Sequence, residues 1–262
     1  MADIVLAPGP ENDRKINRLI GTLGLEPMIA RLPKRARVAV AYKRFGWFSF
    51  LLELQQGRKG VHSLIETEAQ DAIFLHIPKT GGVWVAESLF DSHAASHTPL
   101  YMYLALYGAR DFDRMFKFAF VRNPWTRLAS AYHFLRAGGL TDTDRDWAEA
   151  NMMDYEDIND FVETGLERPE IRNWVHFQNQ TYFLRDPRTG RVGVDFLGRF
   201  ETLRDDYAKV AARLGSSAEL PHLNATKKTS KKGPALSARS IRRIGEIYHE
   251  DAVALDYTPP EV

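Results

Sequence analysis

The sequence predicts an α/β domain in which helices flank a parallel sheet, and three features carry that expectation. Residues 71–77 and 116–121 are largely apolar runs, and each ends in a turn that passes into an amphipathic helical stretch. A third strand-like run, 194–200, is likewise followed by a helical pattern over 202–214. At 262 residues the chain can bury a full core, and it divides into an N-terminal helical extension, 1–70, and a main domain, 71–262.

In chain order, residues 13–23 read as a short helix stopped by Gly24, and 29–56 as helical with a break near Gly46. Arg31, Lys34, Arg35, Arg37, Lys43 and Arg44 make this stretch basic. Its apolar part, 45–54, falls short of the ~20 residues that span a bilayer, so 31–54 either lies on a membrane surface or packs on the core. Pro78 ends the first strand, Gly81 and Gly82 release the backbone into a turn, and 83–89 starts a helix. A further helical stretch, 93–107, precedes the second strand. Asn123-Pro124 then turn the chain into a helix over 125–135, with Ser130 two turns in. Residues 141–170 hold eleven acidic side chains against Arg145 and Arg168, with 154–164 reading as a surface helix. Residues 171–184 read as helical, Gly215 stops the helix begun at 202, and Ser237 caps a last helix running to about residue 255. Between Leu220 and Gly245 there is no acid, but seven bases: Lys227, Lys228, Lys231, Lys232, Arg239, Arg242 and Arg243.

The first strand-loop-helix has the makings of an anion cradle. Unpaired N–H groups at a helix start attract phosphate or sulfate, glycines permit close approach, and Lys79 adds a mobile positive charge. The geometry resembles a P-loop but the spacing does not, since here the lysine precedes the glycines, whereas a Walker motif places it after them. An ordinary strand-to-helix turn that contains a lysine would read the same way. The second strand weighs for the cradle, since Arg122 ends it as Lys79 follows the first, and open α/β sheets bind ligands outside the carboxyl ends of their strands.

Lys79-Thr80-Gly81-Gly82 and Arg122-Asn123-Pro124, with Ser130 eight residues beyond the arginine, resemble the two signatures of sulfotransferases that use 3′-phosphoadenosine-5′-phosphosulfate, PAPS. The resemblance covers most of the chain beyond residue 70. It includes the Asp195-Phe-Leu-Gly-Arg-Phe-Glu-Thr-Leu203 and Leu220-Pro-His-Leu-Asn224 blocks, which are similar to the carbohydrate-type and bacterial branch. Trp84 and Lys231-Lys232-Gly233 look instead like the adenine-stacking tryptophan and the basic 3′-phosphate loop of the cytosolic branch. The resemblance implies a P-loop-like three-layer sandwich with a central parallel sheet. Lys79, Thr80, Gly81, Gly82, Val83 and Trp84 would hold the phosphosulfate and adenine, while Arg122, Ser130, Lys231, Lys232 and Gly233 would hold the 3′-phosphate. Arginine suits that task because its planar fork binds phosphate through two parallel hydrogen bonds. Two departures stand out: Val83 occupies a position where the carbohydrate-type branch usually has a hydroxyl, and 225–234 replaces an expected tyrosine-rich segment.

Transfer to a hydroxyl calls for a base, and histidine accepts a proton near neutrality. Of eight histidines, His76 lies within the first strand and reads as structural. His62, His222 and His249 lie in segments without another catalytic signal, His133 is on the helix after Arg122, and His176 belongs to a family-like block. His97-Thr-Pro-Leu best resembles the family's base segment, with His93 as the alternative. The implied reaction is an in-line displacement with His97 as base and Lys79 meeting the charge on the leaving oxygen, giving adenosine 3′,5′-bisphosphate. The acceptor is expected to be a sugar or glycolipid hydroxyl, with Tyr101, Tyr103, Tyr107, Trp147 and Trp174 as stacking platforms or core.

Composition sets outer limits. A net charge of +1 gives no general field for nucleic acid, and the absence of cysteine excludes disulfides and thiolate chemistry. No His-Glu-x-x-His or carboxylate cluster calls for a metal. A polar, proline-containing start gives no signal peptide, so the reading is a cytoplasmic bacterial protein, with membrane association through 31–54 still open. Two rival readings remain: a P-loop kinase for a small metabolite, and a module that binds adenosine 3′,5′-bisphosphate without turnover.

Overall fold

The computed structural model describes residues 70–91, 97–220 and 235–260. The N-terminal extension with its basic stretch 31–54, His93, and the basic loop with Lys231, Lys232 and Gly233 lie outside the described residues. The described residues divide into two compact units, one made of 70–77, 81–91, 97–121 and 181–220, the other of 78–80, 122–180 and 235–260.

The first unit holds the sheet. Strands β1 (Ala72–Leu75), β2 (Phe116–Val121) and β3 (Phe196–Arg199) run parallel in the order β1-β2-β3 among the described residues. Ala72 pairs with Phe116 and Leu75 with Ala119, while Phe118 pairs with Phe196 and Val121 with Arg199. Successive residues point to opposite faces, yet Ile73 and Phe74, or Ala119 and Phe120, are equally buried. The sheet is therefore covered on both sides, as parallel sheets require, and strands of this kind read as continuous apolar runs. Helices α1 (Gly82–Phe90), α2 (Leu100–Arg114), α7 (Gln180–Leu184) and α8 (Leu203–Arg213) complete the unit, apart from Gln180 itself. One face of the sheet, with Phe74, Phe118 and Phe120, shares a core with Val85, Ala86 and Leu89 of α1 and Leu203, Tyr207 and Val210 of α8.

The second unit is helical among its described residues: α3 (Pro124–Arg136), α4 (Asp142–Asn151), α5 (Ile158–Glu163), α6 (Pro169–Arg172), α9 (Ala238–Ile247) and α10 (His249–Ala254). Trp125, Leu128, Tyr132 and Leu135 of α3 pack with Phe161, Phe177, Ile241, Ile244 and Tyr248. Two polar groups in this core find backbone partners: the Trp125 Nε1–H donates to the Ile241 carbonyl at 2.8 Å, and the Tyr248 hydroxyl to the Phe177 carbonyl at 2.6 Å.

Most elements fall where the sequence puts them, and the differences have causes. The stretch expected at 93–107 is helical over Leu100–Arg114, passing Gly108 at φ 73°, where a kink keeps Phe112 buried further on. The helix expected over 154–164 shrinks to Ile158–Glu163 and is not a plain surface helix, because Ile158, Phe161 and Val162 are buried at helical spacing. Helix α4 was not anticipated, although Thr141 and Asp144 form a reciprocal capping box at its start. The continuous helix expected over 171–184 is two short ones, and the last helix is interrupted at Tyr248.

Candidate active site

The loop after β1 carries the first signature. Pro78, Lys79 and Thr80 group with the second unit, and the chain re-enters the first at Gly81. Gly81 precedes α1 in a left-handed conformation, φ 84°, that a side chain adopts only with strain. Gly82 is required for a different reason: a Cβ there would lie 2.0 Å from the His76 ring, which occupies that space. Lys79 is itself left-handed, at φ 68°. For a lysine this costs about 1 kcal/mol, the kind of strain that collects at functional loops. Thr80 is buried, Val83 is exposed and Trp84 is half-buried, packed partly against the sheet core.

In the second unit Arg122 and Lys79 are joined. The Arg122 guanidinium donates to the Lys79 carbonyl at 3.3 Å and through Nε to Thr126 Oγ1 at 3.1 Å. The backbone of Arg122 is held by the fully buried Gln180 side chain, whose Oε1 accepts from the Arg122 N–H at 2.9 Å and whose Nε2 donates to its carbonyl at 2.8 Å. This amide continues the pattern of a strand ladder just beyond β2, and Asp251 holds Gln180 in turn by accepting its backbone N–H at 2.8 Å. Asn123 caps α3, its Oδ1 accepting from the N–H groups of Trp125 and Thr126. Thr126, Ser130 and Phe134 follow at four-residue intervals on one face of α3. Ser130 therefore lies between the residue that anchors Arg122 and the one beneath Lys79, whose Nζ sits 3.7 Å from the centre of the Phe134 ring.

Burial, and then the nearby Arg122 charge, depress the Lys79 pKa to about 8, while the Asp144 carboxylate opposes them. Asp144 accepts from the Leu140 and Thr141 N–H groups and from His176 Nε2 at 3.1 Å. Burial pushes its pKa up, but the hydrogen bonds from Leu140, His176 and Thr141 outweigh it and hold the carboxyl below its ordinary value. Burial lowers His176 to about 4 despite Asp144, so at neutral pH the imidazole is neutral and its Nε2–H donates to an ionised carboxylate.

His97 belongs to the first unit. Its Nδ1 lies 2.9 Å from the His76 carbonyl, and the two imidazole rings are 4.4 Å apart. A carbonyl can only accept, so the His97 proton is on Nδ1 and the Nε2 lone pair is the basic one. His76, which the sequence reads as structural, is the residue against which both Gly82 and His97 rest. Phe134 and Gln180 gave no signal, because each acts through distant partners, and the capping box Thr141–Asp144 does not show that Asp144 also meets His176.

The aromatic platforms fare unevenly. Tyr101, Tyr103 and Tyr107 are buried, and Trp147 and Trp174 stack on each other at 4.5 Å and 6°, which takes one face of each.

A profile of the sulfotransferase family matches residues 65–258. The chain belongs to the sulfotransferase family. It is an enzyme of that class, moving a sulfuryl group from a sulfate donor to a hydroxyl-bearing acceptor. A protein of Archaeoglobus fulgidus described as uncharacterized is similar to this sulfotransferase, 29% identical over 123 residues, or 47% of this chain and 86% of its own. No solved structure matches. Among the described residues no helix is long and apolar enough to cross a membrane.

Proposed function

We propose that the sulfotransferase takes its sulfuryl group from PAPS and delivers it to a sugar or glycolipid hydroxyl, with residues 71–262 as the catalytic domain and His97 as base. The observation that carries the donor assignment is the joining of two cations, Lys79 and Arg122, through the Lys79 carbonyl, on the loop that leads in sequence to α1. The first N–H groups of a helix lack intrahelical partners, so the start of α1 suits a phosphosulfate, with Lys79 and Thr80 as further donors in this reading. Arg122 and Ser130 would take the 3′-phosphate, Trp84 the adenine, and Lys231, Lys232 and Gly233, outside the described residues, would add charge.

When bound, the donor supplies an activated sulfuryl group on a phosphate leaving group. His97 Nε2 accepts the acceptor hydroxyl's proton as the new oxygen–sulfur bond forms, and the bond from sulfur to the phosphate oxygen breaks. Lys79 meets the charge left on that oxygen, a preorganised contribution typically worth ~3 kcal/mol.

The test compares two nucleotides that differ at one phosphate. Adenosine 3′,5′-bisphosphate at ~100 times its Kd adds ~2.7 kcal/mol of stability and raises Tm. Adenosine 5′-monophosphate raises it less, and Arg122→Ala removes the difference. Equal shifts with the unaltered enzyme would show that Arg122 and Ser130 hold no 3′-phosphate.

A further inference from the structure

Among the described residues Lys79 does not rest against a carboxylate. Its ammonium lies 3.7 Å above the Phe134 ring, the Phe134 ring is 5.1 Å from the His176 ring, and His176 Nε2 donates to Asp144 Oδ1 at 3.1 Å. Ammonium, phenyl, imidazole and carboxylate thus follow one another in a single series within the second unit. Phe134 is half-buried, whereas His176 and Asp144 are buried. The loop at Gly139 is shaped around the end of this series, since a Cβ there would fall 2.2 Å from that of Asp144.

We propose that Phe134, His176 and Asp144 are positioning residues that seat the Lys79 ammonium, keeping it charged and in place without neutralising it before the donor arrives. The inference rests on the reading of Lys79 as the lysine that meets the donor. The seat is an aromatic face for an energetic reason. A cation over a ring is held modestly, a hold that an incoming anion can break. A carboxylate in direct contact would form a partly buried ion pair that is costly to break, and would oppose the donor's own charge. Set behind two rings, the Asp144 carboxylate favours the protonated lysine, yet leaves its face to the ligand.

The charged groups around Lys79 act in both directions. Arg122, bonded to the Lys79 carbonyl, repels the ammonium; Asp144 attracts it; and His176, neutral at pH 7 but flanked by the buried Arg127, passes no positive charge along the series. The depressed Lys79 value near 8 is the balance of these effects with burial. Removing the carboxylate or the ring tilts that balance toward neutral lysine.

The experiment reads Lys79 directly, without turnover. The full-length enzyme is trace-acetylated across a pH series, and the extent at Lys79 is measured by peptide mass spectrometry. Wild type is expected to titrate near pH 8. Asp144→Asn keeps an oxygen for the Leu140 and Thr141 N–H groups but loses the charge, and its midpoint falls by about one unit. Phe134→Leu falls in the same direction and Phe134→Tyr, which keeps a ring face, restores the wild-type midpoint. Wild-type midpoints in both Asp144→Asn and Phe134→Leu overturn the proposal, and if Asp144→Asn does not fold, the Phe134 pair decides alone. Adding adenosine 3′,5′-bisphosphate separates the two readings. A midpoint that shifts among variants while the nucleotide gives Lys79 no protection leaves the seat standing and removes the donor role.

Discussion

His97 and His176 show how the surroundings of one side-chain type decide its role. His97 has its Nδ1 proton fixed by the His76 carbonyl and presents a basic Nε2, so His97→Ala should lower transfer by ~10²–10⁴ while leaving adenosine 3′,5′-bisphosphate affinity nearly unchanged. Retained activity in that variant would place the base elsewhere. His176 is buried and refuses a proton until about pH 4, against 6.5 for an ordinary imidazole. Between those values the unfolded chain binds a proton that the folded one excludes. The stability tied to His176 is therefore complete above pH 6.5 and is lost as pH falls towards 4, by on the order of 3 kcal/mol. Asp144, held below its ordinary value, adds to the loss only at still lower pH. Urea midpoints at pH 7 and 4.5 should separate widely in wild type and much less in His176→Gln; an unchanged gap would assign the acid sensitivity to other groups.

Among the elements, those governed by local chemistry were the legible ones. Strands β1 and β2 announce themselves because burial on both faces makes them unbroken apolar runs, and α3 because Asn123 caps it and Pro124 occupies its first turn. The segment between α6 and α7 was misread as helix because distant partners consume its carbonyls: Arg127 donates to His176 and Gln178, and Tyr248 to Phe177. The acidic run of 141–170 reads as solvated, yet Glu163 pairs with Arg239 and Glu167 with Arg243 of α9, a match that sequence shows only as opposite charge far apart. The signature residues themselves were legible, since Lys79 and Arg122 each follow a strand. What steadies them was not, and Gln180 is the clearest case. Gln180→Leu keeps volume but strips two hydrogen bonds from the Arg122 backbone at a buried point, which should cost about 2 kcal/mol or more in denaturant unfolding. It should also blunt the discrimination between adenosine 3′,5′-bisphosphate and the 5′-monophosphate, because the arginine proposed to read the 3′-phosphate loses its anchor. A variant that loses stability but discriminates as well as wild type would separate the clamp from recognition.

For the molecule as a whole, charge is nearly balanced at +1, so attraction of a highly anionic nucleotide cannot come from a general positive field. In the proposed reading it comes from a few local groups, one of which, Lys79, titrates in an accessible range. With a pKa of about 8, Lys79 is half protonated at pH 8 in the free enzyme. An anion bound beside it favours the charged form, so binding should draw in about half a proton per site at that pH, and less at pH 7, where the lysine is already charged. The nucleotide's own phosphates do not blur the measurement, because their second ionisation, near pH 6, is complete by pH 8. Calorimetric titration with adenosine 3′,5′-bisphosphate in two buffers of different ionisation heat should give binding enthalpies that differ at pH 8 and converge towards pH 7. Affinity should correspondingly fall as pH rises through 8, and both trends should vanish in Lys79→Arg, whose guanidinium stays protonated throughout. Enthalpies that do not depend on the buffer at pH 8 would mean that the anion never meets Lys79, and the binding energy would then have to be sought at Arg122 and the backbone of α1.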